Sequence, residues 1–376
     1  MEFINLKAQY EYIQGDVNKR VTEVMKSGRY ILSDEVEVFE KKIAGYVGRK
    51  YAAACGNGTE ALQLIYMAYG IGANDAVFCP DMTFIASIEP AVMLGAHPVF
   101  CDIDLQSYNM DPKSLEEKIK EVSREGRYVP KAILAVDFLG HPFEEEQISA
   151  IAKKYNLILI EDAAQGIGAR IGNRKCGSFG DAAATSFFPT KPLGCYGDGG
   201  AVFTDDEEIY DILKSLRVHG KGTSKYDNVR IGMNSRLDSI QAAVLLSKME
   251  ILEEEIEKRQ QIAGMYDEAF AKYLKTPVIK AGCRSSYAQY VVMVSDEARR
   301  EPLIQELHEN GIPTIYYYPT PLHRLPVFRH LELKDEGYWN TIQYSRTSFG
   351  LPFSPYLKKE EQEKVIDVMI HALGRC

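Results

Sequence analysis

The chain reads as an α/β protein built on a mostly parallel sheet with helices on both faces. Short apolar runs alternate with helical patterns over residues 51–205, and that alternation needs crossover connections, which place strands parallel and bury both sheet faces. Leu157-Ile158-Leu159-Ile160 is apolar throughout, as a strand without a solvent face must be. The length of 376 residues, with 45% hydrophobic and 26% charged composition, is that of an ordinary globular chain with room for a second domain.

Taken in order, Tyr12, Ile13, Val17, Val21, Val24 and Met25 recur at helical spacing and predict a helix over 11–27, stopped by Gly28. Ser33 as N-cap with Glu37 opens a second helix over 34–47, closed by Gly48. Residues 51–55 predict a strand that runs into Gly56-Asn57-Gly58-Thr59-Glu60, and from Ala61 the pattern is helical again. Strands at 76–80 and 98–102 flank a helix over 84–94; a strand at 132–136, a helix over 143–155 and a strand at 157–161 follow. A buried strand begins at Ala183, another spans 201–204, and a helix covers 207–216. The helical stretch over 237–270 carries a break near Glu250, which divides a large domain (1–250) from a smaller α+β domain (251–376). That domain reads as a strand at 287–294, a helix at 301–310, a strand at 314–317 and a final helix at 359–373. Glu253, Glu254, Glu255, Glu257, Lys258 and Arg259 read as a solvated face.

The net charge of −9, without a long acidic block, argues against nucleic acid or an anionic membrane as partner. Cys55, Cys79, Cys101, Cys176, Cys195, Cys283 and Cys376 stand singly, without C-x-x-C or a histidine at ligand spacing. This fits a reducing compartment and no metal. No signal-peptide core opens the chain and no stretch approaches the ~18 apolar residues of a membrane span, so the expected location is the cytoplasm.

Three motifs carry chemistry. Lys191 follows Phe187-Phe188-Pro189-Thr190 at the end of a buried strand and precedes Pro192. A lysine held in a walled site offers the neutral amine that Schiff-base chemistry needs, whereas a lysine on an open turn does not. The strand, Gly-rich turn and helix start around Gly58 and Thr59 form an anion site if a ligand is present, or a plain connection if none is. Glu161 and Asp162 end an apolar strand, so one of them meets a cation or caps a helix.

Together, Asn57-Gly58-Thr59, Glu161-Asp162-Ala163-Ala164-Gln165, Ser186-Phe187-Phe188-Pro189-Thr190-Lys191 and Gly197-Asp198-Gly199-Gly200-Ala201 resemble, in order and spacing, the DegT/StrS family of nucleotide-sugar aminotransferases. The resemblance implies the aspartate aminotransferase fold, with a mostly parallel seven-stranded sheet and a smaller C-terminal domain. It implies pyridoxal 5′-phosphate (PLP) attached to Lys191, which shuttles the proton, and Asp162 paired with the pyridinium nitrogen. Gln165 would bind the ring hydroxyl, and Phe84 would stack on the ring. Gly58, Thr59 and Ser186 would hold the phosphate, joined by Asn234 across a homodimer with shared sites. The partners implied are L-glutamate and a keto-sugar nucleotide.

Relatives that dehydrate the sugar carry histidine where this chain has Lys191, so amino transfer is favoured. The segments around Lys191 and Arg236 look most like enzymes aminating C3 of UDP-linked 2-acetamido-3-keto hexoses, for cell-surface polysaccharide or lipid A. Glucuronate-specific members hold the sugar carboxylate with an arginine matching Arg236 and a His-Tyr-Pro segment. Here the segment is Tyr317-Tyr318-Pro319, and a phenol is a weaker carboxylate partner than an imidazolium. An uncharged sugar is therefore expected, with a 3-keto glucuronate or a C3/C4-keto 6-deoxy sugar as alternatives. A dinucleotide-dependent oxidoreductase would use Gly166 to Gly172, which lacks G-x-G-x-x-G spacing. A non-catalytic PLP-binding regulator is the remaining reading.

Overall fold

A computed structural model describes residues 1–224 and 226–375; Cys376 lies outside the described residues. Seven strands form the central sheet: β1 (Tyr51–Cys55), β2 (Asp75–Pro80), β3 (His97–Cys101), β4 (Val129–Val136), β5 (Ile158–Asp162), β6 (Ala182–Ser186) and β7 (Gly200–Thr204). Their spatial order is β1-β7-β6-β5-β4-β2-β3. All neighbours pair parallel except β7, which runs antiparallel to both β1 and β6.

Among the described residues there are twelve α-helices: α1 (Leu6–Ser27), α2 (Asp34–Val47), α3 (Gly58–Ala68), α4 (Glu89–Met93), α5 (Pro112–Glu125), α6 (Glu145–Tyr155), α7 (Glu207–Leu216), α8 (Ser239–Met249), α9 (Leu252–Phe270), α10 (Arg300–Glu309), α11 (Trp339–Thr347) and α12 (Lys359–Arg375). Side chains alternate across a strand, so both sheet faces are buried. Ala53, Val77, Leu134 and Ile160 pack under α3 on one face. Ala76, Phe78, Ile133 and Leu159 pack on the other with Leu115 and Ile119 of α5 and Ile148 of α6. Phe39 and Ile43 of α2 cover Ala52, Ala54 and Phe203 with Leu245 of α8.

A second core joins Tyr266 and Phe270 of α9, Leu303 and Leu307 of α10, and Val365 and Met369 of α12. It surrounds a two-stranded antiparallel pair, β8 (Tyr290–Met293) and β9 (Ser348–Leu351). Leu322, Phe328, Tyr338 and Ile342 leave that core and pack on the central sheet's α3 face. No helix among the described residues is long and apolar enough to cross a membrane.

The alternating elements stand close to where their patterns put them, with corrections. The helix expected over 84–94 is a 3₁₀ turn at Ile85–Ser87 followed by α4, and Phe84 keeps an extended backbone before it. Pro90 sits in the first turn of α4, behind Glu89, because it cannot sit inside one longer helix. The strand expected at 314–317 reduces to a bridge between Ile315 and Gly350, since Pro313 and Pro319 bracket it. Ser33 precedes α2, but its hydroxyl donates to Glu35 (2.5 Å) and does not cap the helix. α5, α11 and β9 had no counterpart in the sequence reading. In the supposed solvated face, Glu255 and Arg259 are buried. Glu255 accepts from Gln9 (2.8 Å) and Tyr356 (2.7 Å), and Arg259 donates to the Tyr287 carbonyl (2.9 Å).

Candidate active site

Three chain segments converge on one cavity of about 570 Å³. The turn between β1 and α3 brings Gly58 and Thr59, β5 ends in Asp162, and β6 ends in Ser186 and leads to Lys191. Ligands collect at such carboxyl ends of parallel strands because helix N-termini and loops meet there.

The Gly58 side is shaped for an anion. Asn57 caps α3, its Oδ1 accepting from Glu60 N (2.8 Å), which leaves the N–H groups of the first turn aimed past the helix end. A Cβ on Gly58 would lie 2.7 Å from Ser186 Cβ, and one on Gly200 would lie 2.4 Å from the Asn57 carbonyl. Only glycine lets these backbones approach, which is the close packing that a phosphate cradle requires.

Lys191 and Asp162 face the same cavity. Burial lowers the Lys191 amine's pKa, and the Asp162 charge opposes that shift. The loop carrying Lys191 is stapled shut: Phe187 N donates to Gly199 O (2.7 Å), Cys195 N to Phe187 O (2.8 Å), and Lys191 N to Phe188 O (2.9 Å). Asp162 is buried, which raises its carboxyl pKa; Ser87, the Ala164 N–H and the Lys191 charge act against that rise. Ser87 Oγ donates to Asp162 Oδ2 at 2.7 Å, and Ala164 N donates to Oδ1 at 3.1 Å. Of the two acids ending β5, Asp162 is the one that faces the cavity with Lys191. Glu161 points to the opposite side, where it accepts from Gly177 N (2.7 Å) and Phe179 N (2.8 Å). There it lies with Asp137 and Cys176, their ligand atoms within 4.8 Å of one another. Burial raises both carboxyls, and the Glu161 charge raises Asp137 further.

Gln165 is buried in the cavity wall, with Oε1 accepting from Leu139 N (2.6 Å). Phe84, Tyr317 and Tyr318 form an aromatic wall, the Phe84 and Tyr318 rings 5.8 Å apart. Burial pushes the Tyr317 phenol up to about 12 and raises Tyr318 as well. The sequence reading missed Thr83, Ser87, Glu60, Asp198 and Gln289, which also line the cavity. Asn234 and Arg236 do not line it. Asn234 is exposed and bridges Val218, while Ser235 between them accepts from Gly56 N (3.1 Å).

This arrangement fits a phosphorylated pyridine aldehyde: a tight glycine cradle for its anion, a buried carboxylate for its ring nitrogen, aromatic walls, and an amine of lowered basicity for its aldehyde.

The profile of the DegT/DnrJ/EryC1/StrS aminotransferase family matches residues 11–370. The UDP-2-acetamido-2-deoxy-3-oxo-D-glucuronate aminotransferase of Pseudomonas aeruginosa is 42% identical over 327 residues, 87% of this chain and 88% of its own length. The dTDP-3-amino-3,6-dideoxy-alpha-D-galactopyranose transaminase of Aneurinibacillus thermoaerophilus is 39% identical, covering 98% of each chain. The UDP-N-acetyl-3-dehydro-alpha-D-glucosamine 3-aminotransferase of Acidithiobacillus ferrooxidans is 32% identical over 98% of this chain and 97% of its own. Among solved structures, a DegT DnrJ EryC1 StrS aminotransferase from Brucella abortus superposes with TM-score 0.97 at 46% identity, covering 100% of both chains. NtdA from Bacillus subtilis, solved with bound cofactor PMP, gives TM-score 0.89 at 28% identity over 99% of this chain and 83% of its own. With its profile matched almost end to end and its fold shared along its whole length, the chain belongs to the DegT/DnrJ/EryC1/StrS aminotransferase family.

Proposed function

We propose that the protein moves the amino group of L-glutamate onto the C3 keto group of an uncharged, UDP-linked 2-acetamido-3-keto hexose destined for cell-surface polysaccharide or lipid A. The broader statement is secure from the family: the chain is a sugar-nucleotide aminotransferase, and its cofactor is PLP. When bound, PLP supplies an electron sink that lets the bond between Cα and hydrogen of an amino donor break. With the cofactor bound, Lys191 Nζ would accept the proton released from Cα and hold it, a task suited to an amine of lowered basicity. Asp162 would keep the ring nitrogen protonated, Gln165 would pair with the ring hydroxyl, and Phe84 would lie against the ring. Gly58, Thr59 and Ser186 hold the phosphate.

The choice of an uncharged sugar rests on one observation. Among the described residues lining the cavity there is no arginine or histidine, and Lys191, committed to chemistry, is the cation present. Tyr317 and Tyr318 stay neutral at physiological pH. Within one chain's walls a sugar carboxylate finds no fixed positive partner, so Arg236 of the partner subunit would face it with a neutral phenol where the glucuronate-specific relatives have an imidazolium.

In the same proposal the enzyme works in the cytoplasm as a homodimer. The 1–250 domain holds the cofactor, and the 251–376 domain contributes Tyr317 and Tyr318. Asn234 and Arg236 serve the partner's site, and the exposed Val229 and Ile231 beside them (55% and 89% exposed) support an interface there.

The test is product formation from L-glutamate with freshly made 3-keto UDP-N-acetylhexosamine, its uronate counterpart and a dTDP-3-keto-6-deoxy sugar. We expect the highest kcat/KM for the neutral UDP-sugar; a preference for the uronate overturns that choice. Lys191→Ala should lose turnover by at least ~10²–10⁴-fold and lose the protein's yellow colour on dialysis, and wild-type-like turnover would refute the lysine's role.

A further inference from the structure

We infer that Gln289 is a specificity-determining residue that accepts a hydrogen bond from an O–H or acetamido N–H of the sugar. The assignment rests on the sugar-nucleotide reading above.

Gln289 lines the cavity with Asp162 and Lys191, yet it belongs to the segment entering β8 and is only 6% exposed. Its Oε1 is buried and takes no hydrogen bond among the described residues. Other buried polar side chains of the wall have partners within the chain. Gln165 Oε1 accepts from Leu139 N (2.6 Å), Ser87 Oγ donates to Asp162 (2.7 Å), and Thr185 Oγ1 donates to Ala163 O (3.0 Å). Glu60 Oε2 is also unpaired, but Glu60 sits in the first turn of α3, where the helix dipole favours a carboxylate.

The residues on either side of Gln289 are held in place. Ser286 Oγ donates to Gln165 O (2.7 Å), Ala288 N donates to Leu139 O (3.0 Å), and Tyr290 Oη beyond it donates to Asp267 (2.6 Å). A buried amide oxygen without a donor is unfavourable, and one fixed in a mostly apolar ligand cavity is the kind of group that orients a ligand. The cofactor's ring hydroxyl already has Gln165 for a partner in the proposed arrangement, so the sugar remains as the donor. A site built to pair a substrate hydroxyl or amide discriminates strongly against analogues that lack it.

The test compares wild type and Gln289→Leu as holoenzymes in the two half-reactions, each followed by cofactor absorbance. One uses L-glutamate; the other uses the UDP-linked 2-acetamido-3-amino hexose in reverse. Calorimetry measures that aminated sugar nucleotide's affinity, and a thermal melt measures stability. We expect kcat/KM and affinity for the sugar to fall about 10- to 100-fold, with the glutamate half-reaction unchanged and the melting temperature equal or higher. In the variant, sugars with a 2-acetamido group and with a 2-hydroxyl are then compared, and the one whose advantage over a 2-deoxy analogue disappears identifies the donor. A variant that matches wild type with the sugar, or that loses both half-reactions equally, overturns the assignment while leaving the functional reading intact. A wild-type enzyme that takes nitrogen from L-glutamate but not from the aminated UDP-sugar overturns that reading and this assignment together.

Discussion

Ser87 Oγ lies 2.7 Å from Asp162 Oδ2, and Thr83 Oγ1 lies 2.8 Å behind that hydroxyl. A short polar relay thus reaches from the turn after β2 to the carboxylate ending β5. Burial raises the Asp162 pKa and Ser87 is the leading group that opposes it. Ser87→Ala should therefore raise it further. A carboxyl with a higher pKa becomes neutral at a higher pH, so the acid limb of the pH–rate profile for the glutamate half-reaction should move upward. The plateau should fall about ten-fold or less, in keeping with one hydrogen bond. An unmoved acid limb would show that Ser87 does not tune Asp162.

Gly58→Ala places a methyl 2.7 Å from Ser186 Cβ. The neighbour is backbone-proximal and cannot swing away, so the cradle must widen, at a cost of roughly 1–3 kcal/mol. PLP affinity, measured by fluorescence titration of the apoenzyme, should weaken by about ten-fold or more. Unchanged affinity would mean that this turn does not hold the anion.

Glu40 and Arg217 form a buried ion pair between α2 and the end of α7. Glu40 Oε1 also accepts from Ala54 N (2.7 Å), and Arg217 Nη1 donates to Ala54 O (2.7 Å). Glu40→Ala strands a buried guanidinium, which costs about 3–5 kcal/mol. We expect a clear fall in Tm; a melt within a degree of wild type would show the pair to be dispensable.

His323 bridges Asp81 (2.5 Å) and Asp335 (3.3 Å), fastening the residues after Tyr317 and Tyr318 to the end of β2. Burial lowers its pKa, but the two carboxylates outweigh burial and hold it above the ordinary value. Burial raises the Asp81 carboxyl, and His323 opposes that. A histidine whose pKa is raised on folding adds stability that is complete below its unfolded pKa and lost as pH climbs through the folded one. The Tm gap between wild type and His323→Gln should accordingly be full below the ordinary histidine pKa of about 6.5 and shrink as pH rises above it. A gap independent of pH would show that the histidine acts through shape alone.

Much of this site is legible because its residues stand where a pattern stops. Asp162 and Ser186 end apolar runs, and Gly58 and Thr59 open a helix after a glycine turn, so a parallel sheet alone brings them together. Lys191 follows from the Pro and Gly residues that turn the chain out of β6. Ser87 and Gln289 carry no such signal. Ser87 meets a residue 75 positions away, and Gln289 reaches the cavity only because a separate small core delivers β8 to it. α5 went unread because its core stripe is three residues, Leu115, Ile119 and Val122, within a strongly charged helix. Glu255 and Arg259 looked solvent-facing because their covers, Gln9 and Tyr356 for one and the Tyr287 carbonyl for the other, come from remote sequence.

The lone antiparallel strand β7 makes the segment bearing Lys191 a link between two adjacent, hydrogen-bonded strands instead of a crossover. The Lys191 amine hangs on a short tether from an anchorage closed at both ends. In the proposed role of Lys191, the reach of that amine is set by the four methylenes of its own side chain.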